Sequence, residues 1–500
     1  MTNDKTGKNF IGVSMMILIS KALGFVRDIW FARNIGTTLL ADIYTQVFGL
    51  ASLLFTSVGM AISSANIPNL THYLTNENKE ERNKYVSGLL TQISLTATVV
   101  SLLGIIFAPK IAKVILPGLD EEASIIAVTL TRIMLPTLLF ISLAYITAGI
   151  LQVHKHFLIS SLISIPFNMV IIAALLIWKN DIFILGYVTT LGWLLQFIVQ
   201  IPILKKEKYI FNLKFNFSNK HIRSTYIKLI PILIGNAALQ VCLITDRAFA
   251  SRHLENGSVA ALSFGSTLFT TITSIFIVAM STVTFPDLSR YSIEKDFINV
   301  RKILKYIFKV LFFILVPYLI IVSMYNREII QLVYERGTFT EKSTTMTSTA
   351  FLFYSFCIAG YVCQEIFNRV YYSMKKVLIP SVLSLGCIAL NYFLVMVFAD
   401  IYGIGGIAGS TAAAFLVYAV IMSISVRKEV GAFLGKEFSS YLLRLSVCLV
   451  GMIGVSVGVG FIGLKGLIGS FLLPVALGAA AYLMIAYFTG VLKETLWRKG

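Results

Sequence analysis

Pro68-Asn69-Leu70-Thr71-His72-Tyr73 recurs later in the chain as Pro286-Asp287-Leu288-Ser289-Arg290-Tyr291. A second pair lies further along: Phe157-Leu158-Ile159-Ser160-Ser161 aligns with Val377-Leu378-Ile379-Pro380-Ser381, and Ser164 with Ser384. Both pairs share an offset of about 220 residues, as a duplicated unit requires. One match between apolar stretches could be chance. Two at nearly the same offset, in equivalent loops, define a repeat.

The sequence around these motifs is largely apolar. Of 500 residues, 57% are hydrophobic and 13% charged, about half the charged share a soluble domain of this length needs. Windows of about twenty residues place spans near 9–34, 39–64, 84–108, 124–151, 157–178 and 182–204. Further spans fall near 225–250, 259–284, 299–324, 345–373, 378–399, 404–426, 440–463 and 467–491. Lys5 and Lys8 precede the first run, which continues into Lys21, Arg27 and Asp28 without a small-residue cleavage site, so it reads as a transmembrane helix.

Each repeat holds six spans, an even number, so both copies enter the membrane in the same direction. The predicted fold is therefore an all-α polytopic membrane protein with about fourteen transmembrane helices. Residues 1–220 form an N-terminal six-helix lobe, 221–430 a parallel second lobe, and 431–500 two extra helices. Two lobes related by an axis along the membrane normal can enclose a central cavity and expose it to each side in turn. No filter-like loop argues for a channel.

The net charge of +18 raises nucleic-acid binding, but the positive residues sit in short loops between apolar spans. With the N-terminus inside, Lys79, Arg82, Lys84, Lys155, Lys205, Lys206, Lys208, Arg301, Lys302, Lys375, Lys376, Arg427 and Lys436 are among those facing the cytoplasm. Lys110, Lys113, Lys179, Arg327, Arg336, Lys342 and Lys465 face the other way. This bias predicts both termini in the cytoplasm and no nucleic-acid partner. The five cysteines, Cys242, Cys357, Cys363, Cys387 and Cys448, lie in apolar segments at no metal-ligand spacing. No GxxxxGK[ST] loop or nucleophile motif is present, so neither an ATP-driven pump nor an enzyme is expected, and no cofactor or metal. His154 and His156 flank Lys155 in a turn and read as solvated.

Ionisable groups at membrane depth are costly and face protein or water. The first span carries Lys21, Arg27, Asp28 and Arg33, and Asp42 opens the second. Arg27 offers a planar fork suited to phosphate and Lys21 a mobile point charge; Gly24 between them permits a bend. Arg27 and Asp28 could equally form a structural ion pair, and Arg33 and Asp42 could cap helix ends. Arg132 stands alone in the fourth span. Asp246 could bind a coupling cation or pair with Arg247, and Glu365 lies four residues before Arg369 on one helix face.

Ser20-Lys21-Ala22-Leu23-Gly24-Phe25-Val26-Arg27-Asp28, with Ala32-Arg33, Gly36 and Ala41-Asp42, resembles the opening motif of the MurJ (MviN) lipid II flippases. Gly257-Ser258-Val259, Phe285-Pro286-Asp287-Leu288-Ser289, Arg336-Gly337-Thr338-Phe339-Thr340 and Arg369-Val370-Tyr371-Tyr372-Ser373 are similar to that family too, in the same order. The resemblance implies membership of the multidrug/oligosaccharidyl-lipid/polysaccharide exporter superfamily. It also implies transport of an undecaprenyl-pyrophosphate-linked peptidoglycan precursor from the inner to the outer leaflet of the bacterial cell membrane. The implied partners are this lipid-linked substrate, membrane lipid and cell-wall synthesis proteins. Substrate-binding residues carried over are Lys21, Arg27 and Asp42, with Arg33, Arg132 and Arg369 as further cationic candidates and Asp246 and Glu365 as ion-coupling candidates. Cavity arginines of the family's second and eighth helices fall near Phe55 and Thr267 here, which opens another lipid-linked oligosaccharide as the alternative substrate. A drug or cation antiporter would need an acidic cavity, whereas the first lobe is basic.

Overall fold

A computed structural model describes residues 2–53, 70–71, 73, 79–210, 212, 220–463 and 466–496. Among these there is no β-strand. Backbone groups in hydrocarbon must find partners within their own segment, and the helix alone does this without a closed barrel. Pro68, Asn69 and His72 of the repeat motif, and Phe55, lie outside the described residues.

The chain forms two compact units. One is Met1–Ser263 with Arg336–Ser343, the other Phe264–Glu335 with Thr344–Gly500. In the first unit α1 (Thr2–Ile35) packs on α7 (Phe157–Leu162) and α8 (Ser164–Ile177). There α6 (Thr137–Val153) lies against α3 (Lys79–Ile106) and α9 (Ile182–Ile198). The unit also holds α2 (Leu39–Leu53), α4 (Ala108–Ile115), α5 (Glu121–Met134), α10 (Ile201–Lys206) and α11 (Lys220–His253). Next come α12 (Ser258–Ile293), α13 (Phe297–Tyr334), α14 (Glu341–Ser373) and α15 (Leu378–Val430). The described chain closes with α16 (Lys436–Gly460), a π-helical turn at Ile468–Leu472, α17 (Leu473–Phe488) and α18 (Val491–Leu496).

Several expected spans are interrupted. The fourth breaks between α5 and α6 at Leu135-Pro136, where the proline ring cannot continue the hydrogen-bond ladder. The expected eleventh and twelfth spans are joined without a loop. Helical pairing runs through α15, but Gly403 adopts φ 55° and ψ −132° and reverses the chain. Asn391 Nδ2 then donates to Thr411 Oγ1 at 2.8 Å, a contact impossible across twenty residues of straight helix, about 30 Å long. Among the described residues nine helices are long and apolar enough to cross a membrane. With α15 taken as two passages and the shorter apolar helices added, the architecture is roughly consistent with the fourteen crossings expected from hydropathy.

The burial pattern suits a lipid solvent. Val114, Leu443 and Phe488 are exposed, while Asn168, Thr189, Gln196, Gln364, Asn391 and Thr411 are buried. Polar side chains bond one another or carbonyls between helices. Tyr44 Oη meets Thr189 Oγ1 at 2.8 Å, and Gln364 Nε2 donates to Ser384 Oγ at 3.2 Å.

Two turns at the offset of the sequence repeat share one conformation. Lys155 and Lys375, 220 positions apart, both take a left-handed conformation, with φ 63° and 60°. In each turn the next residue's amide reaches back five positions, His156 N to Leu151 O and Lys376 N to Tyr371 O, both at 2.9 Å. This is the Schellman ending, in which glycine is usual. Lys208 and Lys295 end helices in the same way. All four described non-glycine residues with positive φ are lysines. Placing charge in these turns thus overrides a steric cost of about 1 kcal/mol each. Leu70 and Leu288, equivalent positions of the repeat, are both buried.

His154 and His156 depart from the solvated reading. Both turn onto Glu207: His156 Nε2 lies 2.7 Å from Oε1 and His154 Nδ1 3.3 Å from Oε2. His154 Nε2 meets Tyr209 Oη at 2.8 Å, and the Arg82 guanidinium stacks 4.2 Å above the Tyr209 ring while donating to Glu207 O. Burial lowers the His154 pKa below its ordinary 6.5, against the pull of Glu207. The bond from His156 holds Glu207 below its ordinary 4.5. The folded cluster therefore prefers neutral His154 and ionised Glu207, and both shifts favour folding less as pH falls, the histidine effect beginning below 6.5. Amide exchange over residues 205–210, corrected for intrinsic rate, should accelerate between neutral pH and pH about 5. His154→Gln should flatten that dependence; an unchanged profile would show that His154 does not set it.

Candidate functional site

The candidate residues of the first unit sort into two constellations. The first lies along α1. This helix is unbroken through Gly24, so the bend that glycine permits is not used; Gly24 instead faces the Asn168 side chain of α8, 3.8 Å from where a Cβ would stand. Arg27 lies six positions after Lys21, about 9 Å along the helix. Arg27 Nε and Nη2 donate to Asp28 Oδ1 at 3.0 and 2.7 Å, and Nη1 donates to Asn168 Oδ1 at 3.2 Å. The guanidinium also sits over the rings of Phe48 and Phe167, 5.7 and 5.6 Å from their centroids. Arg27 thus has a counter-ion and a fixed plane. Lys21, half-buried, makes no ion pair among the described residues. The stretch as a whole keeps one uncompensated positive charge, on the flexible Lys21 stem, about 9 Å along α1 and roughly 120° around it from the oriented guanidinium.

Asn168 was not singled out from sequence. It is buried, bonds Arg27 and donates weakly to Ser20 O at 3.4 Å. An asparagine inside an otherwise apolar span is the signal that could have found it. Phe48 and Phe167 carried no signal, since aromatic residues are common in any membrane helix.

The second constellation is a knot of three loops, at residues 35–38, 254–258 and 336–343. Asp42 Oδ2 accepts from Gly257 N and Oδ1 from Ala260 N, each at 2.6 Å. A buried carboxylate thereby closes the N-terminus of α12, where unpaired amides and the helix dipole favour negative charge. Thr338 N donates to Arg33 O at 3.0 Å, Thr37 Oγ1 meets Ser343 Oγ at 2.8 Å, and Lys342 pairs with Glu255 at 2.7 Å. Gly36, Gly257 and Gly337 all have positive φ, and a Cβ on any of them would strike a neighbouring carbonyl: Thr338 O, Thr37 O and, in the last turn of α1, Arg33 O respectively. The separate motifs near Gly36, Asp42, Gly257 and Arg336-Gly337-Thr338 therefore meet in one place.

The remaining candidates lie apart. Arg33 is exposed, its guanidinium 4.9 Å above the Trp30 ring. Arg132 is exposed on α5 and donates weakly to Ile105 O at 3.4 Å. Asp246 and Arg247 are buried on α11, with Arg247 against Gly49 of α2. Glu365 and Arg369 belong to the second unit and approach each other at 3.9 Å on one face of α14. Thr267 is half-buried on α12. Among the described residues no cluster of three or more His, Cys, Asp or Glu side chains could hold a metal.

Many apolar helices with an internal repeat define a multi-pass membrane protein. Comparison with known proteins is more specific. The family described as lipid II flippase MurJ matches residues 31–477. A probable lipid II flippase MurJ of Buchnera aphidicola subsp. Acyrthosiphon pisum is 28% identical over 77% of this chain and 76% of its own length. The lipid II flippase MurJ of Burkholderia cenocepacia is 25% identical, covering 83% of each. A solved structure of lipid II flippase MurJ in an inward closed conformation superposes with a TM-score of 0.81 at 22% identity, covering 97% of this chain and all of that one. The chain belongs to the lipid II flippase MurJ family.

Asp42→Ala leaves two amides at the start of α12 without their carboxylate, and should destabilise the protein by about 2 kcal/mol. Asp42→Asn, which keeps one acceptor, should fall between Ala and wild type in thermal unfolding of the purified protein. Equal midpoints for all three would show that the clamp does not hold α12.

Proposed function

We propose that this protein is a flippase that carries an undecaprenyl-pyrophosphate-linked peptidoglycan precursor across the bacterial cell membrane, from inner to outer leaflet, by alternating access. The observation that carries the reading is the Lys21–Arg27 stretch of α1, in a chain of the lipid II flippase MurJ family. A pyrophosphate-sugar headgroup cannot shed its water into hydrocarbon unaided. Lys21 supplies the charge that replaces this hydration, while Asp28, Asn168 and two aromatic rings hold the Arg27 fork ready. A pyrophosphate, carrying more charge than one carboxylate, competes with Asp28 for the guanidinium. The polyprenyl tail needs no such site and stays in lipid. Asp42 serves the site from behind, as a positioning residue that fixes α12.

Lysines in the turns at 155, 208, 295 and 375 support a topology with those turns and both termini in the cytoplasm. Thr267, uncharged where the family resemblance leads one to expect an arginine, favours a second substrate reading: another lipid-linked oligosaccharide, destined for a surface polymer.

Expression of this chain should restore growth to a bacterium depleted of its own lipid II flippase. Arg27→Ala should insert at normal levels yet fail to restore growth, and Lys21→Gln should do the same. Full rescue by Arg27→Ala would remove Arg27 from the site. Failure of the wild-type chain, with flipping of a different lipid-linked oligosaccharide in vesicles, would select the second substrate.

A further inference from the structure

The second unit contains a basic bay that shares no residue with the Lys21–Arg27 stretch. It encloses about 1010 Å³ where the starts of α13 and α16 meet α18. Lys302, Lys305 and Lys309 line it from one face of α13, Arg444 from α16 and Lys493 from α18. Two carboxylates oppose these five cations. Glu437 pairs with Lys305, while Glu494 takes both Lys309, at 2.7 Å, and Arg444, at 2.6 Å. Lys302 and Lys493 make no ion pair among the described residues. The bay thus carries three positive charges in excess.

Its walls are fixed before any ligand arrives. Tyr441 Oη bonds both Lys309 O and Thr495 Oγ1 at 2.9 Å, and Arg444 Nη1 donates to Thr489 O at 3.3 Å. A smaller bay of about 500 Å³ adjoins it, sharing Lys302, Lys305 and Glu437 and adding Arg301 and Lys436.

The surroundings decide the kind of anion. Beyond Lys309, α13 runs into Val310-Leu311-Phe312-Phe313-Ile314-Leu315, so the lysines stand at the membrane–water boundary. Leu443, Val447 and Val450 of α16 form an exposed apolar stripe leading away from the bay on the same helix as Arg444, at 71%, 55% and 68% exposure. A soluble anion would use the charge and leave the stripe idle. A phospholipid uses both.

We propose that this bay binds the phosphodiester headgroup of an anionic membrane phospholipid, with Lys302, Lys305 and Lys493 around the phosphate and the acyl chains along the Leu443–Val450 flank. Such a lipid bridges α13 to the last helices at the point where their like charges repel.

The test uses the full chain in nanodiscs of phosphatidylcholine with a minor fraction of phosphatidylglycerol, and counts retained phosphatidylglycerol by native mass spectrometry. Wild type should keep it. Lys302→Gln with Lys493→Gln should weaken retention roughly thirtyfold, and Lys302→Arg with Lys493→Arg should preserve it. If the glutamine variant also melts lower in phosphatidylcholine alone, the arginine variant decides, its retention supporting the site and its loss overturning it. Equal retention by the glutamine variant would overturn the proposal. So would complete displacement of the lipid by inorganic phosphate, which would identify a free-anion site. The readout is binding, so its failure leaves the flippase reading standing, and failure of transport leaves this one.

Discussion

The contact on which the most sequence motifs converge is the pair of short hydrogen bonds from Gly257 N and Ala260 N to the Asp42 carboxylate. A carboxylate buried in a membrane protein is costly to ionise unless its lone pairs are met. The N-terminus of α12 meets them with two amides and a favourable dipole. Around that contact the loops at 35–38, 254–258 and 336–343 approach so closely that glycine is required in each. Residues 336–343 are drawn into the first unit although the chain on either side belongs to the second. The constraint is local, but it orders the start of one long helix and the loop that precedes another.

Much of the architecture was legible because lipid imposes simple rules. Apolar runs of spanning length and turns rich in lysine are consequences of the bilayer, and both appear in the structure. The turns at Lys155 and Lys375, 220 residues apart, share one backbone conformation and one closing hydrogen bond. Hydropathy could not show that the eleventh and twelfth passages reverse at a single glycine. Gly403 sits in Tyr402-Gly403-Ile404-Gly405-Gly406, which looks like any glycine-rich apolar stretch. Nor could it show that His154 and His156 close on Glu207, since that contact depends on α6 and α10 ending side by side.

The site was legible in residue type and less so in arrangement. Lys21, Arg27 and Asp42 were conspicuous as charges in or beside apolar spans. Sequence alone left open whether Arg27 would pair with Asp28, and the structure shows that it does, with Asn168 as a third partner. The family motifs are a mixture of two things: charged residues of α1, to which we assign the anion, and loop residues that form a tight three-way junction. Both kinds look alike in a sequence. Only geometry separates the Asp42 that bonds two backbone amides from the Lys21 that makes no ion pair among the described residues.

The central claim is that Lys21 and Arg27 receive a pyrophosphate. Binding of undecaprenyl pyrophosphate to the purified protein, compared with the uncharged polyprenol, tests it most directly. The account predicts that Arg27→Ala weakens binding of the pyrophosphate at least tenfold, about the loss of one charge-assisted bidentate contact, and leaves the polyprenol unaffected. Equal pyrophosphate affinity in variant and wild type, both shown to be folded, would contradict it.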